Sequence, residues 1–531
     1  MKRVIVLIML LYAISIFARY EDISWNTPQL TSNNSISFLE KNINESKLFS
    51  MKNIWVVHDS SSFNFALFSW QDFKHSIGNF FSQDDNSYFL LYHTQDYHFK
   101  EAKNFGYPKI SDRYPSSIPL TSLLRFSIHT GCDFVKSEKE SYYFVYYGSK
   151  VSGYFEKKLY FYCYWWAGHF SGDTDFAEKS KLIDSWTQDS SDNDQIHLDN
   201  ISGKISYRTR FWSLSVGRGK YEIGNNIGGS IILNDDCNDY GYFSNKFDFK
   251  NLSISFLHAT LIPDSTSAES GDDSYYYKHY EDKYLVVHKI EWQPSKEFML
   301  FFGEEVIYGG RSIDPSYILP HTFWRATEHN LGDRDNVMIF TGFLWKPIYK
   351  NYLYLNFVFD ELKKSEIFGD WWGNKYAVQI GNSFFFNEEK DTKLTLEFTA
   401  LRPWIYTHKI LYDKFSHDDI GLGFPEGSNL IQYSGEFNYN IRTNLNLNIH
   451  GSFTRQGSVG NDFSINYETR DETLDNGTHW LEGDITDKVS ICPVITWQPL
   501  SHHKLKLGMN ISKIDDENFE EEIMISYQAI Y

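Results

Sequence analysis

The chain has 531 residues, of which 22% are charged and 18% aromatic, including 37 Tyr and 43 Phe. That length suits two or three domains or one large barrel, and such aromatic richness suits strands, sugar-binding surfaces or the girdles of a membrane barrel better than a cytosolic enzyme. A formal charge of −19 with no basic cluster argues against nucleic acid as a partner, because phosphate binding needs a Lys and Arg footprint.

Residues 1–18 have the layout of a secretory signal. Lys2 and Arg3 form the basic start, Val4 to Phe17 is almost wholly apolar, and Ala18 can precede the cut. The alternative is an N-terminal membrane anchor, but the apolar run is shorter than the ~20 residues that a spanning helix needs. Losing Lys2 and Arg3 with the signal takes the charge from −19 to −21. Residues 19–121 are rich in Ser, Asn, Asp and Phe. They read as a periplasmic or plug segment that partly occludes a lumen, or as a loosely ordered extension. Within them Ala66, Leu67, Trp70, Phe73, Ile77, Phe80 and Phe81 have the spacing of an amphipathic helix.

Residues 122–531 read as an all-β, transmembrane, antiparallel β-barrel. Segments at about 123–134, 142–149, 154–166, 203–211 and 213–219 supply five strands, and thirteen more follow from about 243. The total is 18, with 16 as the alternative. Leu394, Leu396, Phe398 and Ala400 share one face of a strand, and Lys393, Thr395, Glu397 and Thr399 share the other. Gln432 to Ile441 and Asn444 to His450 repeat the pattern. Alternation also occurs in soluble sandwiches, so the connections decide. Short ones (Lys250-Asn251, Pro294 to Lys296, Pro347 to Asn351, Asn387 to Asp391, Arg442-Thr443, Pro499 to His503) alternate with long ones at 263–283, 308–336, 361–375, 402–430, 454–488 and 513–522. A membrane barrel does this, with short periplasmic turns and long outer loops. The loops near Tyr308 to Asn336, Trp371-Trp372 and Arg402 to Leu430 are then expected to face outside together.

Cys132, Cys163, Cys237 and Cys492 match no zinc spacing and read as mostly buried thiols that fill space. Acidic runs such as Asp189 to Asp194 match no calcium loop and read as solvated loop tips. No metal or cofactor is expected. The candidate site residues lie in three groups. The first is Glu304, Glu305, Tyr308, Asp314, Tyr317, Asp335 and Asn336. Adjacent carboxylates in a strand face opposite ways, so Glu304 and Glu305 cannot act as an acid/base pair, and a bulge at Gly303 or a loop-facing position is expected to keep a charge out of lipid. The second is the pair Trp371 and Trp372. The third is Arg402, Trp404, Tyr406 and His408, in which the cations suit a polar or anionic ligand and the rings suit sugar faces. The alternative for Arg402 is a structural pairing with Glu397. No Ser/His/Asp set and no selectable carboxylate pair point to catalysis.

In order and spacing these motifs resemble the Wzi-like capsule-assembly outer-membrane proteins. The resemblance rests on Gly217-Arg218 with Gly224 and Gly228 to Asn234, on Glu305 to Gly309 leading to Asp314 to Pro320 and Asp335-Asn336, and on Glu397-Phe398 with Arg402 to His408 and Gly421 to Gly423. It departs from the family at Ile223, where an aromatic is expected. It implies an 18-stranded barrel with an N-terminal helical portion, which holds capsular or other surface polysaccharide as a non-catalytic lectin. The expected setting is the outer membrane of a diderm bacterium. The expected partners are surface polysaccharide, outer-membrane lipid and the barrel-assembly machinery, with the protein a monomer. A porin-like diffusion channel for small polar solutes is the alternative.

Overall fold

The computed structural model describes residues 63–66 and 123–530, less 156–157, 179, 181–186, 193–194, 210, 250, 265–281, 296, 349, 362–368, 388–391, 443, 471–474 and 501. The signal sequence and most of the 19–121 segment, including most of the expected amphipathic helix, therefore lie outside the described residues.

Eighteen antiparallel strands form a closed wall. The first five are β1 (Leu123–Lys136), β2 (Ser141–Phe155), β3 (Leu159–Gly172), β4 (Gln195–Arg208) and β5 (Trp212–Gly219). Thirteen follow: β6 (Tyr240–Asp248), β7 (Leu252–Leu261), β8 (Lys283–Trp292), β9 (Phe298–Gly309), β10 (Asn336–Trp345), β11 (Asn351–Glu361), β12 (Lys375–Asn387), β13 (Thr392–Leu401), β14 (Leu430–Arg442), β15 (Leu445–Gly457), β16 (Ile485–Leu500), β17 (His503–Ile514) and β18 (Glu520–Ile530). Each strand pairs with its neighbour, and β1 pairs with β18 from His129↔Ile530 to Lys136↔Ile523. Closure satisfies every wall strand on both sides, which hydrocarbon demands because it holds no water to hydrogen-bond an open edge.

Two further short strands, Phe63–Ala66 and Thr187–Asp192, join the same sheet against β1 and β4. Of the acidic run Asp189 to Asp194, residues 189–192 lie on the second strand, and 193–194 lie outside the described residues. The count of 18 agrees with the sequence pattern, but two boundaries move. The segment expected at 154–166 spans 159–172, and that expected at 203–211 spans 195–208.

Side chains are distributed inside out. On β13, Thr395 is 0% exposed, Glu397 4% and Thr399 1%, whereas Leu396 between them is 52% exposed. On β14, Gln432, Ser434, Glu436 and Asn438 are buried, and Tyr433 and Tyr439 are exposed. A soluble sandwich would bury the leucine. Here the polar face lines the lumen and the apolar face looks outward, as a lipid-facing wall requires.

The connections of the long-loop end do not all project outward. Residues 220–239 and 402–429 fold into the barrel. Ile231, Ile232, Leu233, Ile405, Phe415 and Leu422 pack there against Ile307, Met338, Phe340 and Leu401 of the wall, forming the main apolar core. This corrects the expectation that 402–430 faces outside. Residues 310–335 take a third course, described below. A short helix, α1 (Thr174–Glu178), packs Phe176 against Tyr142.

The four cysteines are free thiols, and only Cys237 is buried. Cys163 is exposed, and Cys132 and Cys492 are half-buried. The space-filling reading fails for these three because they sit on the wall rather than inside it.

A charge on the outer face should be costly. Leu396→Lys, near the middle of β13, is expected to destabilise the barrel by about 2–4 kcal/mol, and Thr395→Ser, one residue away but facing the lumen, by well under ~1 kcal/mol. Urea titration of the detergent-folded protein, followed by heat-modifiable migration, measures both.

Candidate functional site

Glu397 is the hub of the inward loops. Its carboxylate accepts from the backbone N–H groups of Ile227 and Gly228, both at 3.0 Å, and from the Tyr354 hydroxyl at 2.6 Å. Asn356 donates to the Asn225 carbonyl at 2.7 Å and Gln379 to that of Gly229 at 2.9 Å. A loop without regular structure carries bare backbone groups, and the polar wall satisfies them. Gly229 has φ 108, a conformation that suits glycine, and the Pro425 ring fills the space a Cβ would take. Tyr406 closes the second loop onto the first by donating to the Ile231 carbonyl at 2.7 Å.

The Arg402 group divides on this frame. Trp404 is 6% exposed and Tyr406 2%, so their faces are occupied by protein. Both have positive φ, 67 and 73, in the left-handed region, held by Trp404 N–H to Gly460 O at 2.8 Å and Tyr406 N–H to Asp360 Oδ2 at 2.9 Å. Arg402 does not pair with Glu397, whose contacts go to the 220–239 loop. Its guanidinium instead donates to the carbonyls of Asn374 and Thr478 and lies 5.9 Å from the Tyr376 ring and 5.7 Å from Trp480.

Above Arg402 residues 369–374 and 475–484 meet. Trp372 N–H donates to Asp475 O at 3.0 Å and Thr478 N–H to Asp370 O at 2.9 Å. Their rings gather into a rim. Trp371 and Trp372 lie 5.8 Å apart, Trp372 and Tyr467 5.3 Å, and Tyr376 and Trp480 5.6 Å. Cations sit on these rings: Arg470 at 3.6 Å over Trp372, and Lys375 at 4.4 Å over Tyr467. His408 joins at the edge, 6.4 Å from Tyr467. Burial, reinforced by Lys375, lowers His408 to about 3, so it is neutral at physiological pH. Its Nδ1 accepts from the Ile410 N–H at 3.2 Å, which leaves the proton on Nε2. Trp371, Tyr467, Arg470 and Trp480 keep part of their surface open. The partly exposed rings can stack on pyranose faces, and the Arg470 guanidinium beside them, 2.7 Å from Asp475, is the part-open cation.

The first group goes elsewhere. The ladder through Glu304 and Glu305 runs without a register shift against β8 and β10, so no bulge forms at Gly303. Gly303 instead makes room for the Phe340 ring. Glu305 faces the lumen, fully buried, and its oxygens have no hydrogen-bond partner among the described residues. Glu304 faces out but does not meet lipid. The segment 310–335 folds back against the outer wall, and its helix α2 (Trp324–Asn330) presents the N–H groups of Trp324 and Arg325 to Glu304 at 2.8 and 3.1 Å. His288 Nε2 is 2.8 Å away and its ring stacks on Trp324 at 3.9 Å. Tyr308, Tyr317 and Trp324 are all 0% exposed beneath this fold-back. Arg311 braces it with a two-pronged bond to Asp335 at 2.8 and 2.7 Å, a contact to Asp314, and a position 4.8 Å over the Tyr308 ring. Tyr317 donates to Asp335 at 2.7 Å. Asn336 turns inward and donates to the Asp413 carbonyl. Glu304, Tyr308, Asp314, Tyr317 and Asp335 are thus one outer-wall strut, apart from the rim.

Tyr467, Arg470 and Lys375 were not singled out in the sequence. Their only signal is membership of long connections or strand ends neighbouring Trp371-Trp372, which names dozens of residues equally well.

No family model matches the sequence, and no curated protein does. Among solved structures the chain is similar to Wzi of Escherichia coli, described as an outer-membrane protein involved in group 1 capsule assembly and a carbohydrate-binding β-barrel. The TM-score is 0.50 at 9% identity, covering 76% of this chain and 83% of that one. It is also similar to OprD of Pseudomonas aeruginosa (TM-score 0.42, 8% identity, 77% and 95% covered) and to the outer-membrane protein OpdK of the same organism (0.44, 8%, 77% and 98%). The likeness to Wzi concerns the fold, a closed barrel of the outer-membrane type.

The inward loop carries a titratable group. Burial, with the Asp235 carboxylate nearby, raises Glu222 to about 8, and Asn226 donates to it at 2.7 Å. An unfolded glutamate loses its proton near pH ~4.3, so the stabilisation from the raised group is complete below that pH and is lost as pH rises through the folded value. Hydrogen exchange of 220–239, corrected for intrinsic rate, is expected to quicken between pH 5 and 8 in the native protein and not in Glu222→Gln. Equal pH profiles would show that another group governs the loop.

Proposed function

We propose that this protein is an outer-membrane barrel that binds and anchors capsular or other surface polysaccharide at its long-loop end, without catalysis. The observation that carries this reading is the open part of the rim, Trp371, Tyr467 and Trp480 with Arg470, backed by the buried Trp372, Tyr376, Lys375 and Arg402. Rings offer flat apolar faces at low entropic cost, and the part-open Arg470 guanidinium suits the acidic sugars common in surface glycans. The carbohydrate binding described for Wzi, which shares the fold, supports it. In this reading the long loops are extracellular, and the loops folded into the lumen serve as a rigid base for the rim. The barrel works as a monomer delivered by the barrel-assembly machinery and surrounded by outer-membrane lipid.

Purified full-length protein should bind the surface polysaccharide of its own cell in a pull-down or calorimetric titration. Trp371→Ala and Tyr467→Ala should each weaken binding by about tenfold, equivalent to ~1.4 kcal/mol. No binding to any glycan, together with an intact capsule after deletion of the gene, would sink the proposal.

A diffusion channel is the second reading. It is favoured by a cavity of about 240 Å³ on the far side of the lumen, lined by Asp133, Tyr146, Tyr164, Lys504, Lys506, Ser526 and Gln528. The inward loops weigh against it. The binding reading expects no steady current in planar bilayers from the native protein, and current from Glu397→Ala, in which loop 220–239 loses its anchor. Steady open-channel current from the native protein would favour the channel.

A further inference from the structure

The geometry points to the 310–335 fold-back as a lipid-embedded part of the barrel's outer surface, with acyl chains of the bordering leaflet covering Ile313, Ile318, Leu319 and Phe323. This rests on the membrane-spanning reading of the barrel and not on polysaccharide binding. These four side chains are 50%, 41%, 47% and 52% exposed. On a water-facing loop they would be an unexplained apolar patch. Their position decides otherwise, because the segment packs against the outward face of β7 to β10. Beneath it lie Phe256, Tyr284, Val286, Val306 and Val337, which form one buried cluster with Tyr317 and Trp324.

The height of the wall gives the second reason. On β14, outward residues run from Ile431 through Tyr433, Phe437 and Tyr439 to Ile441. That is about 33 Å of strand, or about 25 Å along the membrane normal at the usual tilt, which matches the ~25 Å apolar band of such barrels. On β9, bare outward residues run only from Phe298 through Leu300 to Phe302 before the fold-back begins at Glu304. That is about 13 Å of strand and about 10 Å of normal, under half the band. On β8 the bare outward residues are Ile290 and Trp292, both exposed. The fold-back starts one pleat, about 7 Å, from Phe302. Its apolar residues are continuous with the belt and supply the missing height.

Within 313–323 the one carboxylate, Asp314, is paired with Arg311 at 3.4 Å, and His321 is exposed. Beyond it Arg325 pairs with Glu328 at 2.8 Å, and Asp333 and Arg334 are exposed. Glu304, which would otherwise be a carboxylate in hydrocarbon, is held by the α2 N–H groups and His288.

The test places nitroxide labels on single cysteines in full-length protein lacking Cys132, Cys163, Cys237 and Cys492, reconstituted in phospholipid vesicles. Ile318→Cys and Phe323→Cys are compared with Leu300→Cys on the bare wall and Asp333→Cys as the aqueous reference. At 318 and 323, relaxation by dissolved oxygen should exceed relaxation by a polar nickel chelate, as at 300, and the order should reverse at 333. Chelate access at 318 and 323 equal to that at 333 would overturn the proposal. So would spin–spin broadening at these sites, which would mean that a second copy covers them. Should the cysteine-free chain fail to fold, benzoyl-phenylalanine at position 323 of the otherwise native protein gives the same decision. Cross-links to phospholipid support the proposal, and cross-links to protein overturn it.

Discussion

The ladder between β1 and β18 is the contact on which the rest depends. Inside hydrocarbon an unpaired backbone N–H or C=O has no water to turn to, so a sheet must close or stay out. Closure from His129↔Ile530 to Lys136↔Ile523 links strands nearly four hundred residues apart and makes one face of every strand a lipid surface. The other face then bounds an enclosed volume whose contents must satisfy it. Thr395, Glu397 and Thr399 are buried while Leu396 is bare for that reason alone.

The enclosed volume is filled in two ways at once. The loop 220–239 brings Ile231, Ile232 and Leu233, which need apolar partners and find them on β9, β10 and β13. The same loop brings backbone groups that need polar partners and finds Glu397, Asn356 and Gln379. A lumen both apolar and hydrogen-bonding holds an irregular chain rigidly, as protein interiors do when few groups are left unsatisfied. The 402–429 loop locks over it through Tyr406, and Arg402 then ties this base to the rim through Thr478 and Trp480. Positive φ at Trp404 and Tyr406 persists because the surroundings over-determine it. The rim is thus mounted on loops packed into the lumen rather than on free loops.

The outer wall shows the same logic turned around. Glu304 points toward lipid, and the chain answers by folding 310–335 over it rather than by a bulge in β9. The capping N–H groups, His288 and the Arg311–Asp335 brace leave no charge in hydrocarbon on this face of the strand.

Much of the fold was legible because a strand states its orientation locally. The period of two in Lys393 to Ala400 or Gln432 to Ile441, the turn residues between strands, and the parity of short and long connections require no partner to be read, and they yield an antiparallel barrel of 18 strands. The site was less legible. Trp371 and Trp372 were visible as loop aromatics, but Tyr467 and Arg470, which complete their cluster, come from a connection about ninety-five residues later. The Arg402–Glu397 pairing looked natural from their proximity in sequence, yet Glu397 is bound by residues 170 positions away. Loop courses are set by such distant contacts, since an irregular chain has no period and its direction follows from which buried groups it can satisfy. The sequence by itself determined the wall, its two faces and its number of strands. Only the tertiary structure decided that two loops enter the lumen, another clothes the outside, and two more meet in the rim, because that choice belongs to packing and not to local pattern.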